Sequence, residues 1–230
     1  MKKIMIVGDI HAEFGWLNIL INKKQPDIII ACGDFGYWPK YNKTGKLLGF
    51  DTDDIKPQKT KIYWCDGNHE HHDLLDNLVK DKAEPIEIKE NVFFCPRGTI
   101  LDINGENFLF MGGADSIDKH FRKQGIDWFP QEVIKQNDVY KIPSNVKIDV
   151  VISHTCPTML LHEMVKYNPA KWKDCSNDAL QYVYDEYKPK KWFFGHWHVN
   201  KKIIINGTIE FQCLNMSYSN GSWVWYNKGD

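Results

Sequence analysis

The sequence has no apolar run near the roughly 20 residues a helical membrane span needs, so no such span is expected. No C-x-x-C spacing links its six cysteines, Cys32, Cys65, Cys95, Cys156, Cys175 and Cys213. They sit mostly beside apolar residues, which predicts free buried thiols rather than disulfides or a zinc knot. A charge excess is missing too. The formal net of -1 argues against broad duplex nucleic-acid binding and against an acidic tail. Met1-Lys2-Lys3 leads straight into a strand-like run, without the apolar region and small-residue cleavage site of a secretory leader, so a cytoplasmic location is expected. Repeats, low-complexity segments and composition shifts are absent as well. At 230 residues and 43% hydrophobic content, the chain reads as one domain over 1–230 with a substantial core.

What is present is a recurring pattern of short apolar runs that stop at polar groups. Ile62 to Cys65 ends in Gly67-Asn68-His69-Glu70. Ile4 to Val7 ends in Gly8-Asp9-Ile10-His11, and Ile28 to Cys32 in Gly33-Asp34. Val150 to Ile152 ends in Ser153-His154-Thr155, and Trp192 to Phe194 in Gly195-His196-Trp197-His198. Buried strands that end this way deliver their polar groups to a site at their C-terminal edge.

Phe14, Leu17, Leu20 and Ile21 recur at helical spacing, which predicts a helix over 13–23 between strands at 3–8 and 27–32. That β-α-β unit implies a parallel pair with a right-handed crossover. Residues 35–60 show no periodicity and read as an irregular insertion at the site end holding a short hairpin. A strand at 61–65 and a helix over 70–80 follow. Val92 to Phe94, Thr99 to Ile103 and Phe108 to Met111 read as strands, the last two joined by an Asn104-Gly105 turn. A polar loop after Gly112-Gly113, a short helix at 131–136, a strand at 147–152 and a long loop at 155–175 come next. Ser176 is the expected N-cap of a helix over 177–187. Lys191 to Phe194, Ile203 to Ile205, Ile209 to Cys213 and Ser222 to Tyr226 complete the strands, the last three expected to run antiparallel.

Together the strand ends supply Asp9, His11, Asp34, Asn68, His69, His154, His196 and His198. Carboxylate, amide oxygen and imidazole suit borderline metals such as Mn, Fe or Zn. All of them except His69 fit two ions sharing one carboxylate, held about 3.5–4 Å apart as in sites that activate water and steady a phosphate.

The ordered set Asp9-Ile10-His11, Gly33-Asp34, Gly67-Asn68-His69-Glu70, His154 and Gly195-His196-Trp197-His198 resembles the calcineurin-like metallophosphoesterase superfamily. One G-D pair or H-x-H would be weak, but five motifs in order over residues 8–198 are specific. The resemblance implies an α/β fold, a four-layer α-β-β-α sandwich with two mixed central sheets. It implies that Asp9, His11 and His198 hold one metal, that Asn68, His154 and His196 hold the other, and that Asp34 bridges them. A hydroxide between the metals would attack phosphorus in line, and His69 would protonate the leaving oxygen or stabilise its charge. The cofactors implied are two divalent ions, Mn first, with Fe or Zn as alternatives. The substrate implied is a phosphate mono- or diester, nucleotide-like among the options, with no membrane and no stable nucleic-acid partner.

The chain departs from the protein Ser/Thr phosphatases of that superfamily, which show Gly-Asp-x-x-Asp-Arg-Gly at the second motif. Here Phe35-Gly36-Tyr37-Trp38 follows Asp34, so a phosphodiesterase-like or general phosphoesterase is expected. A nuclease for short or single-stranded nucleic acid is the alternative enzyme. A non-catalytic interaction module ranks below both, because every motif position carries a competent ligand.

Other polar and aromatic residues have ordinary readings. His120 and His162 are assigned to no metal. His71 and His72 are expected to start a helix, with cleft lining as the lesser option. Tyr37, Trp38, Trp128, Phe129 and Trp172 read as loop packing, with a stacking wall for a flat group as the sharper alternative. Arg122 can grip a phosphate or stand solvated, and Asp115, Asp118 and Lys119 share that ambiguity. Lys201-Lys202 reads as a solvated strand start.

Overall fold

A computed structural model describes residues 1–79 and 83–227 of the chain. The first half runs β1 (Ile4–Val7), α1 (Phe14–Lys24), β2 (Ile28–Ala31), the hairpin β3 (Pro39–Tyr41) and β4 (Leu47–Phe50), β5 (Lys61–Trp64), α2 (His72–Leu78), β6 (Ile86–Lys89) and β7 (Val92–Phe94). It continues through β8 (Thr99–Ile103), β9 (Glu106–Met111), α3 (Gln136–Tyr140), β10 (Val150–Ser153), α4 (Leu161–Met164), α5 (Cys175–Tyr187), β11 (Lys191–Phe194), β12 (Lys201–Ile205), β13 (Ile209–Cys213) and β14 (Trp223–Tyr226).

The strands form two mixed six-stranded sheets, ordered β14-β1-β2-β5-β7-β6 and β12-β13-β11-β10-β9-β8. Side chains alternate across a strand, and that period sorts the core into three slabs. Ile4, Ile6, Ile28 and Ile30 face inward and meet Phe108, Phe110, Val150 and Ile152 of the other sheet. The intervening Met5, Val7, Ile29 and Ala31 face outward under Phe14, Leu17 and Ile21 of α1 and Leu75 of α2. Leu109, Met111, Val151 and Trp192 face the other way, under Leu180, Val183 and Tyr184 of α5. Helices, sheet, sheet and helix are the four layers. Each buried aliphatic or aromatic side chain contributes about 1.5–3 kcal/mol relative to exposure.

Both sheets place parallel strand ends at one edge. Val7 pairs with Ala31, and Ala31 with Trp64, so β1, β2 and β5 end level. In the second sheet Ser153 pairs with Met111, and Ile152 with Phe193. The segments after β1, β2, β5, β9, β10 and β11 therefore emerge side by side.

Several expectations need correction. Helix α5 starts at Cys175 and is capped by Asp174, whose carboxylate accepts the Ser176 and Asn177 amides. Ser176 Oγ instead accepts the Ile134 amide at 3.0 Å, tying two segments together. The helix expected over 131–136 is a 3-10 turn at Pro130–Glu132 followed by α3. The segment 155–175 is no continuous loop: it holds α4 and 3-10 turns at Thr158–Leu160 and Pro169–Trp172. Strand β14 does not join β12 and β13. It pairs antiparallel with β1 in the other sheet, and β13 runs parallel to β11. Strand β6 has no counterpart among the expected elements, and residue 80 of the expected 70–80 helix lies outside the described residues.

All six cysteines are free, and five are buried. No helix among the described residues is long and apolar enough to cross a membrane.

Candidate metal centre

The sharp turns after the strands put donor atoms where extended chain could not. His11, Asp34, His196 and His198 all have positive φ, between 43° and 67°. Such left-handed backbone is uncommon outside glycine and concentrates at functional sites. Two glycines owe their identity to close approach. A Cβ on Gly67 would lie 2.1 Å from Asp34 Oδ1, and one on Gly195 would lie 1.9 Å from Asp9 Oδ1. The absent side chains let β2 meet β5, and β1 meet β11, at the site.

Backbone groups then lock the donors across the two sheets. The His196 amide donates to both Asp9 oxygens, at 3.0 Å each. His154 Nδ1 donates to the Cys32 carbonyl at 2.8 Å, which leaves Nε2 as its free donor atom. The His69 amide donates to Asp34 Oδ1 at 2.9 Å.

Two sets of donors result. In one, His198 Nε2 lies 3.0 Å from Asp9 Oδ2 and 3.3 Å from His11 Nε2, which in turn is 3.6 Å from Asp34 Oδ2. In the other, His154 Nε2 and His196 Nδ1 each lie 3.0 Å from Asn68 Oδ1, and His154 Nε2 is 3.3 Å from Asp34 Oδ1. Asp34 thus offers one oxygen to each set. Asp9 also lies near His154, 3.9 Å from Nδ1, but that nitrogen is committed to Cys32. Asp34 thus faces both sets, while Asp9 approaches the second set only at that committed nitrogen. Asp9-His11-His198 and Asp9-Asp34-His154 each bring their ligand atoms close enough to surround one ion. Imidazole nitrogens that face one another beside carboxylate and amide oxygens fit a borderline divalent cation.

Electrostatics point the same way. Burial raises the Asp34 carboxyl, but the adjacent His154, with His69 and His11, holds it well below its usual value. Burial likewise opposes charge on His154, yet Asp34 and Asp9 push it up to about 10. Burial and the His154 charge together push His196 down to about 3, and the Asp9 hydrogen bond raises His198. Two buried carboxylates gather positive charge here, and a bound cation displaces such protons.

Residues outside the expected set hold these groups in place. Asn68 Nδ2 donates to Ser116 Oγ at 3.0 Å, which leaves its carbonyl oxygen facing the two imidazoles. Ser116 Oγ donates in turn to Glu132 Oε2 at 2.9 Å, and Glu132 Oε1 accepts the Ser116 amide and Trp128 Nε1. Ser116 was findable, because Gly112-Gly113-Ala114-Asp115-Ser116 follows a strand end like the other ligand turns. Glu132 carries no comparable signal. Glu70 accepts the amides of Phe35, Gly36 and Gly67, clamping the loops after β2 and β5 together.

The remaining candidates divide clearly. Arg122 is at the site: Nη2 lies 2.9 Å from His69 Nε2, and only 12% of its side chain is exposed, so the solvated reading fails. Since an arginine only donates, His69 Nε2 accepts there, and its proton sits on Nδ1. Burial and the Arg122 charge lower the His69 pKa, which Asp34 only partly offsets. His71 packs on Phe129 and Trp38, and buried His72 bonds the Gly67 carbonyl, so neither lines the cleft. Asp115 pairs with Lys119, and Asp118 with Arg122. Lys201 pairs with Glu163, and Lys202 with Glu210.

Comparison with known proteins places this geometry. The family model for calcineurin-like phosphoesterases matches residues 2–200. The lariat debranching enzyme of Schizosaccharomyces pombe is 23% identical over 235 residues, covering 89% of this chain and 50% of that protein. The chain thus spans about half the length of that curated relative. The phosphopantetheinyl hydrolase of Mycobacterium tuberculosis has a similar structure, with a TM-score of 0.52 at 13% identity over 99% of this chain and 98% of that one. At that identity the likeness concerns the fold alone.

Proposed function

The chain belongs to the calcineurin-like phosphoesterase family, and from that premise we propose that it hydrolyses phosphate esters at a two-metal centre, diesters ahead of phosphoprotein monoesters. The observation that carries the reading is Asp34, with one oxygen turned to each of two convergent donor sets. Asp9, His11, His198 and Asp34 would hold one ion, and Asn68, His154, His196 and Asp34 would hold the other. The mixed nitrogen and oxygen set suits Mn first, with Fe or Zn as alternatives. When bound, two such ions supply an activated water and neutralise phosphate charge.

The chain's own residues do the rest. Arg122, beside His69, grips a phosphate oxygen with its fork. Asn68, which lines the same lobe, helps orient the phosphate. His69 acts on the leaving oxygen, donating a proton or a hydrogen bond. The preference against phosphoproteins rests on Tyr37 and Trp38, which replace the expected Asp and Arg. Tyr37 is buried against Phe50, and Trp38 Nε1 donates to the His69 carbonyl at 2.7 Å. We read 1–230 as one such domain, and the free, mostly buried thiols support a cytoplasmic location.

The test is metal-reconstituted protein with bis(4-nitrophenyl) phosphate and a metal count. Two ions per chain and metal-dependent turnover are expected, and turnover unaffected by chelation overturns the reading. A second reading, cleavage of short single-stranded nucleic acid, draws support from the 23% identical lariat debranching enzyme. A labelled single strand incubated with the same protein separates the two.

A further inference from the structure

The cleft over the metal centre has two lobes. The near lobe, about 390 Å³, is lined by Asp34, Asn68, His69, Arg122 and His198. A far lobe of about 430 Å³ lies beyond His196, lined among others by Ser116, Thr155, Lys171 and Lys173. Ile117, Trp172, His196 and Trp197 line both. The near lobe holds the reacting groups, and the far lobe has neither His69 nor Arg122 among its lining residues.

The far lobe combines charged residues with two indoles. Of its three lysines, Lys119 bonds both oxygens of Asp115 and Lys173 lies 2.9 Å from Asp178, which leaves Lys171 as the lysine there outside these pairs. Its negative Asp174 is committed to capping α5. Most of the charge in this lobe is therefore already paired. The distinctive surface is aromatic. The Trp172 and Trp197 rings meet at 54° with centroids 6.3 Å apart. They are too close and too inclined to sandwich a ring, and they form a corner in which a flat group stacks on one indole and meets the edge of the other.

Of the five loop aromatics weighed as a stacking wall, Tyr37, Trp38, Trp128, Phe129 and Trp172, the other four are occupied. Tyr37 stacks on Phe50, Trp38 and Trp128 donate to His69 and Glu132, and Phe129 is buried against His71. Trp172 is 37% exposed and faces the cleft. Trp197 is placed by the turn that places His196 and His198.

We propose that the far lobe is a subsite for a flat aromatic group of nucleobase type, carried on the ester that stays on phosphorus. The proposal rests on the phosphodiesterase reading of the near lobe. Hydrolysis breaks the P–O bond to the leaving alcohol beside His69, forms a P–O bond to the water oxygen, and sends a proton to the alcohol. The monoester product keeps the ring stacked on Trp172.

The experiment compares thymidine 5′-(4-nitrophenyl phosphate) with methyl 4-nitrophenyl phosphate, which share a leaving group. Wild type is expected to favour the thymidine ester. Trp172→Ala should cut the ratio of the two kcat/KM values about tenfold or more, the scale of base–aromatic stacking, with the change in KM. Trp172→Phe should restore most of it. Independently of turnover, thymidine 5′-phosphate should quench indole fluorescence in the metal-free protein at lower concentration than ribose 5-phosphate, and Trp172→Ala should erase that difference. An unchanged ratio in Trp172→Ala, or equal binding of the two phosphates to wild type, overturns the subsite while leaving the phosphoesterase reading intact. Selective nucleotide binding with no hydrolysis of either ester supports the subsite and overturns the phosphoesterase reading.

Discussion

Replacing Asp34 by Asn tests whether one carboxylate serves two ions. The variant is nearly isosteric, and Asn tolerates the left-handed backbone found there, with φ at 43°, so the fold is expected to survive. What is lost is charge. Asp34 is buried, with Oδ1 3.3 Å from His154 Nε2 and Oδ2 3.6 Å from His11 Nε2. At an effective dielectric of ~20, a unit charge pair ~4 Å apart interacts by ~4 kcal/mol, which is about a thousandfold in affinity. An amide also offers oxygen to one side only and turns N–H groups to the other. Both ions should therefore weaken, each by on the order of 10³-fold. His198→Ala is the comparison. That side chain is 44% exposed and belongs to one donor set, so solvent screens its loss. It should weaken one ion by about 10–100-fold. The assay is metal analysis after gel filtration, with calorimetric titration of Mn into metal-free protein and a thermal melt as the folding control. Two ions retained by Asp34→Asn, at affinities within tenfold of wild type, would refute the bridging assignment.

Three further outcomes are expected. His69→Asn should keep both ions and lower kcat by about 10²–10⁴-fold, with a smaller loss for nitrophenyl esters than for alkyl leaving groups; loss of an ion would make His69 a ligand, and an equal loss across leaving groups would make it a positioning residue. Phosphoserine peptides should be hydrolysed more slowly than small diesters, and a peptide rate exceeding every diester tested would reverse the branch argued from Tyr37 and Trp38. Arg97 donates to Asp66 through Nε and Nη2, at 3.0 and 2.5 Å, and to Asp138 at 3.2 Å, so Arg97→Met should cost about 3–5 kcal/mol at neutral pH by leaving the buried Asp66 carboxylate unpaired. Burial raises the Asp138 carboxyl, but Arg97 and the Lys135 amide more than offset this and hold it below its usual value. Its stabilisation is thus present above about pH 4, the unfolded value, and is lost as pH falls through the lower folded one. The Arg97→Met penalty should shrink on acidification, and urea unfolding of metal-free protein that shows a pH-independent penalty would refute this.

The sequence by itself determined the ligand turns and the strands that carry them. An apolar run ended by Gly and then Asp, Asn or His is a local pattern, and local patterns survive in one dimension. Asp9, His11, Asp34, Asn68, His154, His196 and His198 lie side by side, because parallel strands in register bring such turns to one edge. The hairpin within 35–60 also formed as expected, although that segment shows no periodicity.

The tertiary structure decided what depends on partners far along the chain. Strand β14 is the same apolar run whichever sheet it joins, and only packing sends it to β1, more than 200 residues away. Ser116 and Glu132 orient Asn68 through hydrogen bonds that no spacing encodes. Arg122 reads as solvated or functional from sequence, until the loop after β9 folds back and sets it on His69. Trp172 looked like one loop aromatic among five. It lines the cleft beside Trp197, whereas the other four spend their rings or their N–H groups inside the protein, and that division is a property of the packed whole.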